Sequence, residues 1–283
     1  MEYTAKPIGM QYTDKHAVYI MRDSAIISPF HDIPIDLDEE KHMVTAITEI
    51  PRFSNAKLEI HKQTSYNPIK QDLDKQGQPR FVQNLFPKKG YLWNYGAIPQ
   101  TWESTEVKDS TTDYLGDNDP IDVIEIGEAV LATGTVYRAK ILGALAMIDG
   151  GECDWKVIVI REGDPLFASL NGLADIEKYL PGFLGATREW FRDYKLPAGS
   201  PPNEFALNGE YLDAAKAVSI VKETHVHWQG LIKEAKHEGI SLLNRTITGT
   251  PGYTKDEFTP DNLEFVPATT EPLSAQKFYY PME

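Results

Sequence analysis

The chain of 283 residues has a single cysteine, Cys153, so no intrachain disulfide can form. That economy fits a reducing compartment, and a cytoplasmic location is the expectation. Positive charge is also scarce: 28 Lys and Arg face 42 Asp and Glu, a formal net charge of −14. The balance argues against sequence-independent nucleic-acid binding and against an anionic membrane surface. An anionic substrate is still compatible with it, because a few lysines or bound metal ions can supply local positive charge. No apolar run reaches the length of a membrane span, and Met1-Glu2-Tyr3-Thr4-Ala5-Lys6-Pro7 lacks a secretory apolar core. Asn244-Arg245-Thr246 is formally a glycosylation sequon, read as chance in that setting. The seven histidines form no His-Glu-x-x-His motif, and His225 and His227 fall on different faces of an expected helix. A phosphate-binding glycine loop, paired cysteines and a nucleophile elbow are missing as well, which leaves zinc, P-loop and covalent serine chemistry without support. Internal repeats and linkers are absent too, so residues 1–283 are expected to form one domain, with 41% hydrophobic residues for its core.

What the chain does have is a concentration of carboxylates. Asp117-Asn118-Asp119-Pro120-Ile121-Asp122 packs three acids into six residues and runs into the apolar Val123-Ile124-Glu125-Ile126. Hard oxygen ligands this close suit Mg²⁺, Mn²⁺ or Ca²⁺, and Pro120 restricts the turn that would aim them at one point. A second acidic cluster follows at Asp149-Gly150-Gly151-Glu152-Cys153-Asp154-Trp155-Lys156. An EF-hand register accommodates Asp117, Asp119 and Glu128, but it places Ile121 where an oxygen ligand is needed and Asp122 where the loop needs glycine. The β-branched run after Asp122 reads as a buried strand, and an EF-hand requires a helix on either side.

Short strand-like segments dominate the first half: 19–21, 43–47, 56–60, 121–126, 136–147 and 155–160. Helices belong to the second half. Phe183, Thr187, Trp190, Phe191 and Tyr194 recur on one helical face, with Arg188, Glu189, Arg192 and Asp193 on the other. A longer helix from about Leu212 to Lys236 puts Ala214, Ala217, Val218, Val221, Trp228, Leu231 and Ile232 on one stripe, the pattern of core packing. After Gly239 the chain reads as an irregular tail, from about residue 240. Strands without a helix between each pair favour a mainly β, α+β fold built on a small antiparallel barrel over a doubly wound parallel sheet.

Strand alternation links the charges. Lys57, Glu59 and His61 alternate with Leu58 and Ile60, and Asp154 and Lys156 alternate with Trp155 and Val157, so each set shares a face. Either face alone reads as ordinary wet surface. Together with the Asp117–Asp122 turn they suggest one polar cavity, in which carboxylates hold metals beside lysines that hold an anion, as phosphoryl chemistry requires.

With these residues in view, the chain resembles the family I soluble inorganic pyrophosphatases, in their longer eukaryotic form. The resemblance rests on Asp117-Asn118-Asp119-Pro120-Ile121-Asp122-Val123 and on flanking motifs in matching order: Glu49-Ile50-Pro51-Arg52, Asn55 to Glu59, Gly90-Tyr91, Asn94-Tyr95-Gly96, Asp154-Trp155-Lys156 and Trp190 to Lys195. It implies a five-stranded OB-type β-barrel decorated by α-helices, hydrolysing diphosphate to two phosphates with several Mg²⁺ ions, Mn²⁺ being a possible substitute. Asp117, Asp122 and Asp154 match the carboxylates of the principal metal pair; Glu59, Asp149 and Asp154 match those of the substrate-associated metals. Asp119 matches the general base. Lys57, Arg80, Tyr95, Tyr194 and Lys195 match the phosphate-binding set, with Glu49, Tyr91 and Lys156 in support. Gly150 departs from relatives that often carry an acid there, which leaves the charge around Asp149 open. A homodimer is the implied assembly. Hydrolysis of another phosphate anhydride, and an inactive OB-type binding module, are the competing expectations.

Overall fold

The computed structural model describes residues 2–260, 264–268 and 270–281. Its strands are β1 (Thr4–Ile8), β2 (Ala17–Arg22), β3 (Ala25–Ile27), β4 (Met43–Ile50), β5 (Leu58–Ile60), β6 (Ile69–Gln71), β7 (Asn84–Leu85), β8 (Asn94–Ala97), β9 (Asp122–Glu125), β10 (Val136–Asp149), β11 (Glu152–Arg161), β12 (Glu204–Phe205), β13 (Leu212–Asp213) and β14 (Phe278–Tyr279). Three α-helices join them: α1 (Leu173–Tyr179), α2 (Phe183–Asp193) and α3 (Ala214–Leu231). The fold is mainly β with few helices, as expected.

A first sheet pairs β1, β2, β6 and β5 in that order, with β3 added to β2. In the second, the order is β11, β9, β8, β4, β10, and β10 pairs back onto β11. Hydrogen bonding in that sheet therefore returns to the strand where it started. β9 and β11 run parallel, and the other pairs in the circuit are antiparallel.

Both faces of these strands are buried, which explains their unbroken apolar runs. Ile124, Ile158 and Ile160 join one core cluster with Trp93, Trp190 and Phe191. Val123, Val157 and Val159 point the other way, into a cluster shared with Ala217, Val218 and Val221 of α3. Gly96 permits β8 to lie against β4, since a Cβ there would come within 1.9 Å of the Ile47 carbonyl oxygen. In the β10–β11 hairpin, Asp149 pairs with Glu152 across Gly150 and Gly151, whose φ values are 62° and 96°. Two positive φ angles in a two-residue loop are what a type I′ turn demands, so the turn itself accounts for Gly150.

The helices depart from expectation in three places. Asp193, assigned to the outer face of α2, is buried and bonded through both oxygens to Arg192. On the inner face Thr187 accepts the Trp93 indole N–H at 3.0 Å, satisfying two polar groups in the core. The long helix stops at Leu231 instead of continuing to 236, because after Gly230 the chain tightens into i→i+3 bonds at Lys233 and Glu234. α1 has only seven residues, too few to show a helical period. The irregular tail is nevertheless anchored: Phe278–Tyr279 pairs in parallel with β7, and Asn244 is fully buried with its amide bonded to the Leu242 carbonyl and Thr250.

Candidate active site

Register brings the two acidic clusters together. Asp122 opens β9 and lies opposite Lys156 of the parallel strand β11, so the sequences around them meet at one end of the sheet. The turn before β9 is fixed locally: Asp119 N–H donates to Asp117 Oδ1 at 3.0 Å, and Asn118 adopts a left-handed φ of 74°, which suits asparagine. Glu103 braces this turn from below. Its N–H donates to the Asp119 carbonyl, and its carbonyl accepts from Asn118 N–H.

The result is a cavity of about 230 Å³. Asp117, Asp119 and Asp122 line it from the turn, Asp149, Asp154 and Lys156 from the hairpin strands, and Glu49 from β4. Lys57 and Glu59 enter from β5 and the residue before it, Tyr91 from the approach to β8, Tyr95 from β8 itself, and Tyr194 from the end of α2. Arg80 and Lys195 do not line this cavity. They line an adjoining one of about 300 Å³ whose wall is shared through Lys57 and Tyr194. His61, placed by alternation on the face of Lys57 and Glu59, bonds instead to Thr64 Oγ1 at 2.8 Å.

Charges inside are paired. Lys156 Nζ lies 2.5 Å from Asp122 Oδ2, contacts Asp154 Oδ1, and reaches the Tyr95 hydroxyl at 3.0 Å. Tyr95 donates to Asp122. Lys57 bonds Glu59 at 2.8 Å and Asp72 at 2.9 Å, and Asp72 also holds Arg80 at 2.6 Å. Lys195 closes on Asp149 from the neighbouring cavity. Tyr194 stacks on Trp190 with ring centroids 5.0 Å apart, which orients the tyrosine toward both cavities. Glu49 accepts the Ile60 N–H at 2.7 Å, tying β4 to β5.

Burial and crowding shift the acids upward. Asp119 is raised to about 6 by burial, with Lys62 opposing the rise and Glu59 adding to it. Asp154 is raised to about 7 by burial, against the pull of Lys156 and with Asp122 adding to the rise. Burial first, then neighbouring carboxylates, hold Asp117 and Glu103 well above the usual range. Lys156 is raised as well: burial opposes its charge, but Asp122 and Asp154 outweigh it and keep the ammonium protonated.

Three participants were not picked out in the sequence. Asp72 bridges two expected phosphate ligands, Lys62 lies 2.6 Å from Asp119 Oδ1, and Glu103 offers an oxygen within 4.8 Å of oxygens from Asp117 and Asp154. None carries a motif of its own; Lys62, one residue past the alternating face, is visible only through its contact. Glu103 Oε1 accepts Trp155 N–H at 2.9 Å, while Oε2 is buried without a hydrogen-bond partner among the described residues. An all-oxygen set with an orphaned buried acceptor fits a hard divalent cation.

Residues 46–229 match the family model described as inorganic pyrophosphatase. The inorganic pyrophosphatase of Zygosaccharomyces bailii is 49% identical over 255 residues, covering 89% of this chain and 88% of that protein. That of Macaca fascicularis is 50% identical over 253 residues, covering 88% and 85%. The solved inorganic pyrophosphatase of Schistosoma japonicum superposes with a TM-score of 0.90 at 40% identity, over 98% of this chain and 100% of that one. The N-terminally truncated Trypanosoma cruzi vacuolar soluble pyrophosphatase, solved in complex with PPi, superposes with a TM-score of 0.75 at 42% identity, over 82% and 92%.

Proposed function

The chain belongs to the inorganic pyrophosphatases, hydrolases of diphosphate, and from that membership we propose how its own residues divide the work and which metal assists them. The observation that carries the proposal is the convergence of both acidic clusters with Lys57, Lys156 and Tyr95 on one cavity. Mg²⁺ is the proposed cofactor, with Mn²⁺ able to replace it. Asp117, Asp122 and Asp154 would hold the principal ions, and Glu59, Asp149 and Asp154 those that arrive with substrate. When bound, such ions supply positive charge against the phosphate oxygens and acidify the attacking water.

Asp119 is the proposed base. A water oxygen attacks one phosphorus, its proton passes to the Asp119 carboxylate, and the bridging P–O bond breaks with its electron pair leaving on the second phosphate. In the metal-free site burial raises this carboxyl to about 6, which makes it a stronger base than an ordinary aspartate. Lys57 and Tyr95 hold the phosphoryl group under attack. Arg80, Tyr194 and Lys195 hold the departing phosphate, and Asp72 ties Lys57 to Arg80 by pairing with both. Glu49, Tyr91 and Lys156 support the site. No covalent enzyme intermediate is required.

We also take the closed pairing of β4, β8, β9, β10 and β11 as a five-stranded OB-type barrel within one domain. A cytoplasmic homodimer is proposed with it. None of the helices in the described residues is long and apolar enough to cross a membrane. The test is phosphate release from diphosphate and, separately, from ATP, each with and without Mg²⁺. Rapid release from diphosphate that needs Mg²⁺ is expected; equal rates on ATP would move the substrate assignment to phosphate anhydrides in general.

A further inference from the structure

Lys62 is absent from every role above, yet its ammonium lies 2.6 Å from Asp119 Oδ1 and its side chain is only 17% exposed. Its backbone is held as firmly as its tip. The Lys62 carbonyl accepts two bonds at 2.8 Å, one from Asn67 Nδ2 and one from Ser241 N–H. Asn67 is fully buried in a left-handed turn of φ 44°, accepts Ser28 Oγ at 2.7 Å, and donates also to the Ser241 carbonyl at 3.1 Å.

Ser241 is fixed in turn from α3. Trp228 Nε1–H donates to His31 Nδ1 at 3.0 Å, so the imidazole carries its proton on Nε2 and donates it to the Ser241 carbonyl at 3.0 Å. Two rigid elements and the first stretch of the tail therefore converge on one lysine, whose charged end meets the carboxylate proposed as the base.

We propose that Lys62 is a positioning residue for the hydrolysis, and that the tail segment at Ser241 holds Lys62 in place. Asp119 lies two residues from Asp117 and three from Asp122, so a free carboxylate there would be drawn toward the cations those residues are proposed to hold. The ion pair gives Asp119 a competing partner at Oδ1 and leaves its other oxygen, Oδ2, available to the reacting water. This rests on the reading of Asp119 as the base.

Lys62→Met keeps the length of the side chain and removes its charge. Turnover should fall roughly 10- to 100-fold, the scale of a misplaced catalytic group, while the KM for diphosphate moves much less. Lys62→Arg should recover most of the loss. In an Asp119→Asn background Lys62→Met should add nothing, because the two residues act as a unit. Ser241→Pro, which deletes the N–H that reaches Lys62, should show a weaker version of the same pattern, and it carries the test if Lys62→Met proves unfolded by thermal melting. Unchanged turnover in Lys62→Met, or losses that multiply in full with Asp119→Asn, overturn the proposal. Unchanged turnover in Ser241→Pro removes the tail from it. Should Asp119→Asn by itself retain activity, the base assignment has failed instead, and the experiment tells the two apart.

Discussion

Lys156 stands opposite Asp122 in the parallel pairing of β11 with β9, and its ammonium lies 2.5 Å from Asp122 Oδ2 while also contacting Asp154. One buried cation thus neutralises two carboxylates proposed as metal ligands, at 2% side-chain exposure. Removing one partner of such a group leaves buried charge uncompensated. Lys156→Met should therefore destabilise the metal-free protein by about 3 kcal/mol or more. Mg²⁺ should restore more stability to the variant than it adds to the wild type, since the cation then takes over the role of the ammonium. Thermal melts of both proteins with and without Mg²⁺ check this, and equal Mg²⁺ gains would count against it.

Asp119 should differ in kind from its neighbours. Asp119→Asn keeps the size of the side chain and removes its basicity, so turnover should drop by roughly 10²–10⁴-fold. The Mg²⁺ requirement should rise much less than in Asp117→Asn or Asp122→Asn, and the pH optimum should shift upward, because more of the reactive water must already have lost its proton. Turnover measured against pH and Mg²⁺ for all three variants decides the matter. Equal losses of Mg²⁺ affinity with an unmoved optimum would make Asp119 another ligand.

Metal binding should release protons. With Asp154 raised to about 7 and Asp119 to about 6 in the metal-free site, part of the carboxylate set is protonated between pH 6 and 7. Mg²⁺ must displace those protons, so its apparent affinity should increase with pH across that window. Calorimetric titrations in buffers of different ionisation enthalpy would show the release. Binding independent of both pH and buffer is the contrary result.

His31 should make the fold acid-sensitive. Burial lowers its pKa from 6.5 to about 4, against the Ser241 carbonyl bond that favours the charged form. Above pH 6.5 the ring is neutral in both the folded and the unfolded chain. Below that, the unfolded chain takes up a proton that the native ring refuses until about pH 4, so stability falls as pH drops through this interval, by roughly 3 kcal/mol at full extent. The raised carboxylates Asp119 and Asp154 act in the opposite sense. Comparing wild type with His31→Gln isolates the histidine, since the carboxylates are common to both. Denaturant melts from pH 7 to pH 4 should give a flatter profile for the variant, and parallel profiles would refute the assignment.

Lys195 should matter to substrate more than to the fold. A cation just beyond the end of a helix contributes only about 0.3–1 kcal/mol. Lys195→Met should leave thermal stability nearly unchanged and weaken diphosphate binding or slow turnover. Lost stability with intact kinetics would return Lys195 to a helix-end role.

Much of this molecule was legible along the chain, for reasons that differ from place to place. The faces of α2 and α3 announce themselves because one-sided burial on a helix imposes a period on apolar residues, and the strand at Val136–Asp149 because burial on both faces gives it a long apolar run. Asp193 escaped that rule because its charge is satisfied by the adjacent Arg192, so it occupies a buried position without an apolar signature. α1, β12 and β13 are too short to carry any period.

The candidate site divides along a similar line. Asp117, Asp119 and Asp122 sit within one turn, and strand alternation puts Asp154 beside Lys156, so local geometry made those groupings readable. Family likeness supplied Arg80 and Lys195, and the fold sets both next to the main cavity, sharing its wall. Lys62, Asp72 and Glu103 had no local mark at all. Each is defined by a site partner in another segment, 57, 8 and 14 positions away respectively.

By itself, the sequence determined the class of chemistry, because hard carboxylate oxygens clustered beside lysines have few uses besides metals and phosphate. It also determined the longer strands and the two longer helices, since these are long enough for neighbours within a few residues to declare them. Only the tertiary structure decided that Lys156 lies between Asp122 and Asp154, that Glu103 keeps an oxygen with no hydrogen-bond partner among the described residues, and that the tail reaches Asp119 through Ser241 and Lys62. These are contacts between elements remote in the chain, set by strand register and by closure of the sheet, and such contacts leave no periodic trace in the order of the residues.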